Sequence, residues 1–401
     1  MPREWPEPSA ERVLSAEPFR IVELPVTRAG DVNRHRYAST EAVLGVVEEA
    51  DPDLVDLHEE SFSSIVHQLL RALPSSRPVV VYGSQNLDKR WPPPFAQWER
   101  QAFARVHGIY VISNQAASVA RGKGYAGLIR LIPLGYDERS FFAGRQSVDD
   151  AEITLALVGR MVPEKGLGEA ISVLDRVHAH RPARLLLIGD GPALEAALRD
   201  AAARGLQDRV EHHPWQSASE LARLYRLTHV VLAPSRATTT WVEQFGRMVS
   251  EGQASGSIVA GYASGAIPEV GGAAAVLVRE GDAAALEASV LRILEDPAEY
   301  AERRQAGLRL SSSRTWDAVA REQLAFYEQA LAARPIVARR GRPDTLRADA
   351  EREFGPPAHS NGDARPFALP LLRTPSALSS HLGRLIDFGA RLRADRARHR
   401  L

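Results

Sequence analysis

The sequence contains no cysteine, which excludes disulfide bonds and thiolate chemistry. Its formal net charge of zero at pH 7 argues against a protein that binds nucleic acid mainly by electrostatic attraction. It has no run of about 18 apolar residues, so no membrane-spanning helix is expected. Residues 1–5 do not open an apolar signal region. Together these features predict a cytoplasmic protein that has no nucleic-acid partner.

Lysine is scarce as well. Of the 50 basic residues, only Lys89, Lys123 and Lys165 are lysines, and the other 47 are arginines. A lysine in such a chain points to a position that needs a compact ammonium group rather than a planar guanidinium.

Two series of apolar runs alternate with helical patterns, one within residues 19–140 and one within residues 153–335. Strands that alternate with helices predict parallel sheets. We therefore expect an α/β protein with two doubly wound domains and a cleft at the carboxyl ends of their strands. The strands are predicted at residues 19–26, 53–58, 78–82, 108–112, 131–133, 153–158, 183–188, 230–233 and 257–260.

Three segments lie outside these domains. Residues 1–18 are polar and predict a flexible N-terminus, and residues 141–152 form the predicted linker. Residues 336–401 form an Arg- and Pro-rich extension with 13 arginines against 7 acidic residues, and we expect it to be partly disordered. Within it, residues 379–398 could form a basic amphipathic helix that contacts the inner face of a membrane or a partner. A solvated tail is the favoured interpretation.

Residues 234–251 carry the strongest chemical signal. A β-branched run ends at Pro234, a loop of Ser and Thr follows, and a helical pattern begins near Gly246. The N-terminus of a helix offers unpaired N–H groups to an anion such as a diphosphate. Glu243 and Glu251 flank that start, and carboxylates pair well with the hydroxyl groups of a sugar. The pattern is typical of a site for a sugar nucleotide, although two exposed glutamates at a helix start would read the same way in isolation.

Two further strand ends carry polar motifs. Arg160 and Lys165 place two cations in one strand–loop–helix turn, where they could neutralise a departing diphosphate. The alternative is a solvated surface pair to which Glu164 adds a salt bridge. Residues 189–192, Gly-Asp-Gly-Pro, predict a tight turn whose glycines permit close approach of the chain.

In this order, these motifs resemble glycosyltransferase family 4, the group 1 transferases of the GT-B fold. The resemblance covers about residues 53–332, and Glu243 and Glu251 have the family's E-x7-E spacing. The motifs are Val158-Gly159-Arg160, Glu164-Lys165-Gly166, Gly189-Asp190-Gly191-Pro192, Pro234-Ser235-Arg236, Glu243-Gln244-Phe245-Gly246, Gly265–Val270 and, in the first domain, His58-Glu59, Gln85-Asn86-Leu87 and Ile132–Tyr136.

The resemblance implies two facing Rossmann-like domains. It implies transfer of a hexose-type sugar from a nucleoside-diphosphate sugar to an acceptor hydroxyl, with retention of configuration and without a cofactor or metal. The second domain would hold the donor through Gly159, Arg160, Lys165, Glu243, Phe245, Gly246, Arg247 and Glu251, with Arg160, Lys165 and Glu243 acting in catalysis. The acceptor would be a glycan, a lipid or a small molecule, and His58, Gln85 and Asn86 would lie on its side.

Two departures from the family pattern keep alternatives open. The chain shows no opening strand, glycine-rich loop and helix, so the N-terminal domain is predicted to be incomplete. The region after the strand at residues 78–82 also lacks the histidine that many members carry there. An impaired relative that only binds a sugar nucleotide or a partner transferase is one alternative, and a sugar-nucleotide epimerase is another. The Asp51-Pro52-Asp53 segment precedes its strand and predicts no metal site.

Overall fold

The computed structural model describes residues 20–31, 33–333 and 343–355. The chain divides into two compact units. Among the described residues, the N-terminal unit comprises residues 20–31, 33–132, 320–333 and 343–355, and the C-terminal unit comprises Pro133–Val319. The second boundary falls within one helix, Trp316–Ala332, so the chain leaves the C-terminal unit through that helix.

The N-terminal unit contains a four-stranded parallel sheet in the order β3-β4-β5-β6. Its strands form where β-branched residues cluster, as in Val79-Val80-Val81, which is fully buried. Two short antiparallel strands, β1 and β2, form a separate hairpin. The elements are β1 (Val26–Thr27), β2 (Arg36–Tyr37), α1 (Thr40–Ala50), β3 (Val55–Leu57), α2 (Ser64–Ala72), β4 (Val79–Gly83), α3 (Phe95–Arg105), β5 (Gly108–Val111), α4 (Asn114–Gly122) and β6 (Leu128–Leu131).

Helices cover both the sheet and its edge in this unit. Val66, Val81 and Phe103 belong to one buried core that α2, β4 and α3 share. The described part of the chain after residue 319 also packs here, because a Cβ atom on Gly108 would lie 2.7 Å from the ring of Phe326. Glycine at that position therefore lets the helix Trp316–Ala332, which carries Phe326, lie directly on β5.

The C-terminal unit contains a six-stranded parallel sheet in the order β12-β11-β10-β7-β8-β9. Its core is formed by fully buried aliphatic side chains, among them Leu155, Leu185 and Val230. The elements are β7 (Ile153–Val158), α5 (Leu167–His178), β8 (Ala183–Ile188), α6 (Leu194–Ala203), β9 (Val210–His213), α7 (Ala218–Tyr225), β10 (Val230–Ala233), α8 (Arg247–Ala254), β11 (Ile258–Tyr262), α9 (Ile267–Gly271), β12 (Val276–Val278), α10 (Ala283–Glu295) and α11 (Pro297–Ser312). Helix α12 (Trp316–Ala332) begins in this unit and continues into the N-terminal unit, where α13 (Pro343–Phe354) follows.

The order of these strands creates a switch point between β7 and β10. From β7 the chain moves outward through β8 to β9, and it then returns to the other side of β7 with β10. The crossovers on the two sides diverge, which opens a crevice outside the carboxyl ends of β7 and β10. The loops after Val158 and Ala233 leave the sheet at that crevice.

The structure confirms the predicted α/β class and parallel sheets, but the strand predicted at residues 131–133 lies instead at Leu128–Leu131, and the strand predicted at residues 19–26 is wrong. Residues 20–25 are mostly exposed and form no strand, and only Val26 and Thr27 pair, antiparallel, with β2. Pro25 has no N–H group for a sheet ladder, which limits pairing at this point. The segments 1–18 and 379–398 lie outside the described residues. Among the described helices, none combines the length and apolarity that a membrane span requires.

The turn at residues 189–192 gives the first test of this fold. A Cβ atom on Gly189 would lie 2.0 Å from the carbonyl oxygen of Gly159, and its φ of +125° disfavours any other residue. We expect Gly189→Ala to lower the free energy of unfolding by about 1–3 kcal/mol, measured by thermal and urea unfolding.

Gly168→Ala is the matched control, because Gly168 lies in α5 and a Cβ atom there would meet nothing within 4 Å. Alanine is expected to be neutral there, or stabilising by up to about 1 kcal/mol. Equal stability of the two variants would contradict the close approach of these loops.

Candidate functional site

The loops at the switch point touch backbone to backbone. Gly166 has φ +73°, and a Cβ atom there would lie 2.4 Å from the carbonyl oxygen of Pro234. The amide of Arg236 donates to the carbonyl oxygen of Glu164 at 2.8 Å. These contacts join the loop after β7 to the loop after β10, so their side chains share the crevice.

A buried ion pair lies between these two loops. Lys165 ends a short 3-10 turn, Pro163–Lys165, and its Nζ lies 2.5 Å from Oε2 of Glu243. Each residue is only 8% exposed. The hydroxyl of Ser235 also donates to Oε2 of Glu243, at 3.4 Å. Lys165 and Glu243, both predicted to bind the sugar-nucleotide donor, are thus in direct contact.

Gly159 lies beside this pair, and Arg160 follows it in the loop after β7. A Cβ atom on Gly159 would lie 3.9 Å from Nζ of Lys165, in ordinary van der Waals contact, and it is the φ of +135° that favours glycine there. Arg160 is half-buried, and within the described residues its guanidinium has neither an ion pair nor a hydrogen bond assigned to it. A half-buried guanidinium without a counter-charge favours an anionic ligand.

Helix α8 begins where the sequence predicted a helix start. Gly246 is its N-cap with φ +79°, and Phe245 before it is buried. The backbone of Glu243 is fixed by the amide of Ala266, which donates to its carbonyl oxygen at 3.0 Å. Helix α8 begins at Arg247, shortly after Glu243 in the chain, and the first N–H groups of a helix have no carbonyl partner in the preceding turn.

Glu251 faces inward from α8 and is 4% exposed. Its Oε1 lies 3.0 Å from Nη2 of Arg247, and the hydroxyl of Tyr225 donates to its Oε2 at 3.5 Å. Burial raises the pKa of Glu251, while Arg247 opposes that shift. Arg247 is exposed enough to move away, which would free one carboxylate oxygen for a ligand hydroxyl.

Trp241 belongs to the same site, and reasoning from the sequence missed it. The centre of its ring lies 5.4 Å from Nζ of Lys165, within the range of a cation–π contact. Its loop is closed by two hydrogen bonds with Thr238, from the Trp241 amide at 3.0 Å and to the Trp241 carbonyl at 2.7 Å. The available signal was an aromatic residue two positions before Glu243 in a loop of small polar residues.

The predicted acceptor-side residue His58 lies in the N-terminal unit, directly after β3. Its Nδ1 lies 2.7 Å from the hydroxyl of Tyr110, and that hydroxyl donates to Oδ1 of Asp56 at 3.1 Å. Since the Tyr110 proton points to Asp56, His58 must donate from Nδ1. Its buried Nε2 is then an acceptor, and no partner for it lies within the described residues.

Burial shifts the acid and the base of this network in opposite directions. The hydroxyl of Tyr327 donates to Oδ2 of Asp56 at 2.5 Å. Loss of solvent nevertheless raises the pKa of Asp56 to about 6. The same loss of solvent lowers the pKa of His58 to about 4. At neutral pH His58 is therefore neutral, whereas Asp56 is still mostly ionised and accepts from both hydroxyls.

Gln85 and Asn86 are held within the N-terminal unit. Nζ of Lys123 donates to Oε1 of Gln85 at 2.5 Å and lies 3.0 Å from Glu99. Asn86 is 3% exposed, and its Nδ2 donates to Gln115 at 3.5 Å. The side-chain oxygen of Gln85 thus already accepts a hydrogen bond from Lys123.

No group of three or more His, Asp or Glu residues in the described ranges is arranged to hold a metal ion. Asp51 ends α1 in a left-handed conformation, and its carboxylate pairs with Arg77 at 2.8 Å. It lies at the amino end of β3, away from the carboxyl ends where ligands bind.

The fold and this site define a Rossmann-like α/β protein with a charged switch-point crevice. Two family models match the sequence, "Glycosyl transferases group 1" over residues 139–309 and "Glycosyltransferase Family 4" over residues 3–140. The chain belongs to this family, as its motifs predicted.

Curated relatives match over part of their length. A D-inositol 3-phosphate glycosyltransferase of Segniliparus rotundus is 29% identical over 220 residues, which cover 51% of this chain and 47% of that protein. A 2-deoxystreptamine glucosyltransferase of Streptomyces kanamyceticus is 27% identical, over 58% of this chain and 62% of that protein. The match thus spans about half the length of these relatives.

Solved structures share the fold. The HepE protein of Anabaena in complex with UDP superposes with a TM-score of 0.60 at 18% identity, over 73% of this chain and 82% of that one. Sucrose-phosphate synthase of Thermosynechococcus elongatus superposes with a TM-score of 0.57 at 21% identity, over 73% and 77%. The fold is therefore GT-B, with two Rossmann-like units.

The Asp56–His58 network predicts a specific pH dependence. Between about pH 4 and 6.5 the unfolded chain protonates His58 while the folded chain does not, so His58 lowers stability as the pH falls. We expect His58→Gln to remove about 3 kcal/mol of that decrease, measured by urea unfolding at a series of pH values.

Asp56→Asn is the matched variant of opposite sign. Between about pH 4 and 6 the folded chain keeps a proton on Asp56 that the unfolded chain loses, so Asp56 lowers stability as the pH rises. Asp56→Asn should remove that decrease. Parallel pH curves for the two variants and the wild type would contradict the opposite pKa shifts of Asp56 and His58.

Proposed function

We propose that this protein is a glycosyltransferase that moves a hexose-type sugar from a nucleoside-diphosphate sugar to an acceptor hydroxyl, with retention of configuration. The observation that carries the proposal is the arrangement of Arg160 and the Lys165–Glu243 pair at the switch point of a Rossmann-like unit. One cation is unpaired within the described residues, and the other is shared with a carboxylate. This charge pattern suits a ligand that carries both phosphate and hydroxyl groups.

In this proposal the C-terminal unit holds the donor. Arg160 and Lys165 bind the diphosphate, and the N–H groups from Phe245 to Arg247 at the start of α8 bind phosphate or sugar oxygens. Glu243 accepts from a sugar hydroxyl, and Glu251 accepts from the ribose. The HepE protein, which shares this fold, forms a complex with UDP, and that complex supports a nucleoside-diphosphate donor.

Stabilisation of the leaving group is the main catalytic contribution in this mechanism. As the bond between sugar and phosphate breaks, negative charge grows on the diphosphate. The fixed charges of Arg160 and Lys165 stabilise that charge without further reorganisation. The acceptor oxygen bonds to the anomeric carbon on the face that the phosphate vacates, and a departing phosphate oxygen takes the acceptor proton, so configuration is retained. No residue of this chain need act as a general base, and the proposal uses no cofactor or metal.

The acceptor is a glycan, a lipid or a small molecule that binds on the side of His58, Gln85 and Asn86. The neutral His58 offers Nε2 as a hydrogen-bond acceptor, which suits a hydroxyl group. The names of two relatives contain D-inositol 3-phosphate and 2-deoxystreptamine, so small polar molecules belong first in an acceptor panel. We propose that the protein acts in the cytoplasm, with peripheral membrane contact as a second option.

The proposal is tested by release of nucleoside diphosphate from UDP-, GDP- and ADP-sugars in the presence of an acceptor panel. We expect Lys165→Ala to lower kcat by about 10²–10³-fold, because it removes a fixed charge that stabilises the leaving group. Lys165→Gln removes the charge but keeps a donor near Glu243, so it separates loss of charge from loss of folding. Arg199→Ala, which removes an exposed cation of α6, should leave kcat unchanged.

Each other outcome selects an alternative. Normal turnover by Lys165→Ala would contradict the leaving-group role. Donor binding without release would favour the impaired sugar-nucleotide-binding relative or partner subunit. Conversion of the donor sugar without an acceptor would indicate an epimerase.

A further inference from the structure

The contact between Trp241 and Lys165 has a role that the ion pair alone does not supply. Lys165 is nearly buried, and its ammonium group has a carboxylate on one side and an indole ring 5.4 Å away. Glu243 neutralises the ammonium charge, whereas an aromatic ring attracts it without cancelling it. The two neighbours therefore act differently on any anion that approaches Lys165.

Hydrogen bonds hold the backbone of the loop that carries Trp241. Both Trp241 backbone groups bond to Thr238, and the amide of Ala237 donates to Oε1 of Glu280 at 2.8 Å. The start of the same loop is tied to the carbonyl oxygen of Glu164, the residue before Lys165. Hence the backbone segments that carry the ring and the ammonium group are joined by a direct hydrogen bond.

We propose that Trp241 is a positioning residue that holds the Lys165 ammonium group in the crevice when Glu243 turns from Lys165 to a ligand hydroxyl. This inference rests on the proposed function, because it assigns the ligand of Lys165 as the diphosphate of a nucleoside diphosphate. The ring replaces part of the attraction that Lys165 loses when Glu243 leaves. Because the ring carries no net charge, it does not neutralise the ammonium group, whose positive charge can still attract the diphosphate.

The contact should therefore affect diphosphate binding and leave nucleoside binding unchanged. Phenylalanine keeps an aromatic face, while leucine and methionine keep only apolar volume. We expect Trp241→Leu and Trp241→Met to weaken binding of the nucleoside diphosphate about tenfold. Trp241→Phe should stay within about threefold of the wild type. Affinity for the nucleoside without phosphates should not change in any of them.

Binding of UDP, GDP and ADP to the full chain is measured by isothermal titration calorimetry. A double-mutant cycle is then measured with the nucleoside diphosphate that binds most tightly. The cycle compares Trp241→Leu, Lys165→Gln and the double variant. If Trp241 acts through Lys165, Trp241→Leu should cost nothing further once Lys165→Gln is present. Trp98→Leu is the matched control, because Trp98 stacks on His67 in the N-terminal unit and should not change nucleotide affinity.

Four results would overturn the inference. They are equal losses for phenylalanine and leucine, a matching loss of nucleoside affinity, additive effects in the double variant, and failure of both Trp241→Leu and Trp241→Met to fold. If the wild type binds none of the three nucleoside diphosphates, the proposed function fails and the inference fails with it. If the wild type binds and the cycle is additive, only the role of Trp241 fails.

Discussion

The buried contact between Lys165 and Glu243 is the interaction on which the rest of the candidate site depends. Removing two charges from water is costly, and a well-packed apolar pair of similar size often stabilises a fold more. An ion pair with both residues 8% exposed is therefore weak evidence for a role in stability. Its position at the switch point, where ligands bind in open α/β sheets, favours a functional reason for it. The unpartnered Nε2 of His58 in the other unit is a comparable sign, since buried polar atoms usually find partners.

Glycine contacts bring this ion pair together. The loop after β7 approaches the loop after β8 through Gly189 and the loop after β10 through Gly166, and both approaches leave no space for a Cβ atom. Gly265 does the same beside the carbonyl oxygen of Glu243. Four loops that are distant in sequence thus meet at backbone distance, so the side chains between them have little freedom. Preorganised charges of this kind stabilise a developing charge better than flexible ones.

The sequence predicted features that depend on local pattern. The parallel sheets followed from alternating apolar runs, the start of α8 followed from Gly246, and Lys165 was singled out because lysine is scarce. Contacts that depend on tertiary placement could not be predicted. Neither spacing nor residue type showed that Trp241 would face Lys165, or that Lys123 would take the oxygen of Gln85. The false strand at residues 19–26 has the same origin, because an apolar run forms a strand only where a neighbour can pair with it.

All three lysines of the chain lie at partly or fully buried positions. Lys165 pairs with Glu243, Lys123 pairs with Glu99 and Gln85, and burial lowers the pKa of Lys89. None of the three lysines is exposed, so among the described residues the exposed Lys or Arg side chains are all arginines. An ammonium group fits a small polar space and directs its donors in three directions, whereas a guanidinium needs a wider planar space. Lys123 also lines a cavity of about 20 Å³, which is close to the size of one water molecule. Glu60, Gln85 and Glu99 line the same cavity. The physical requirement that places lysine at the candidate site thus also places it in the polar interior of the N-terminal unit.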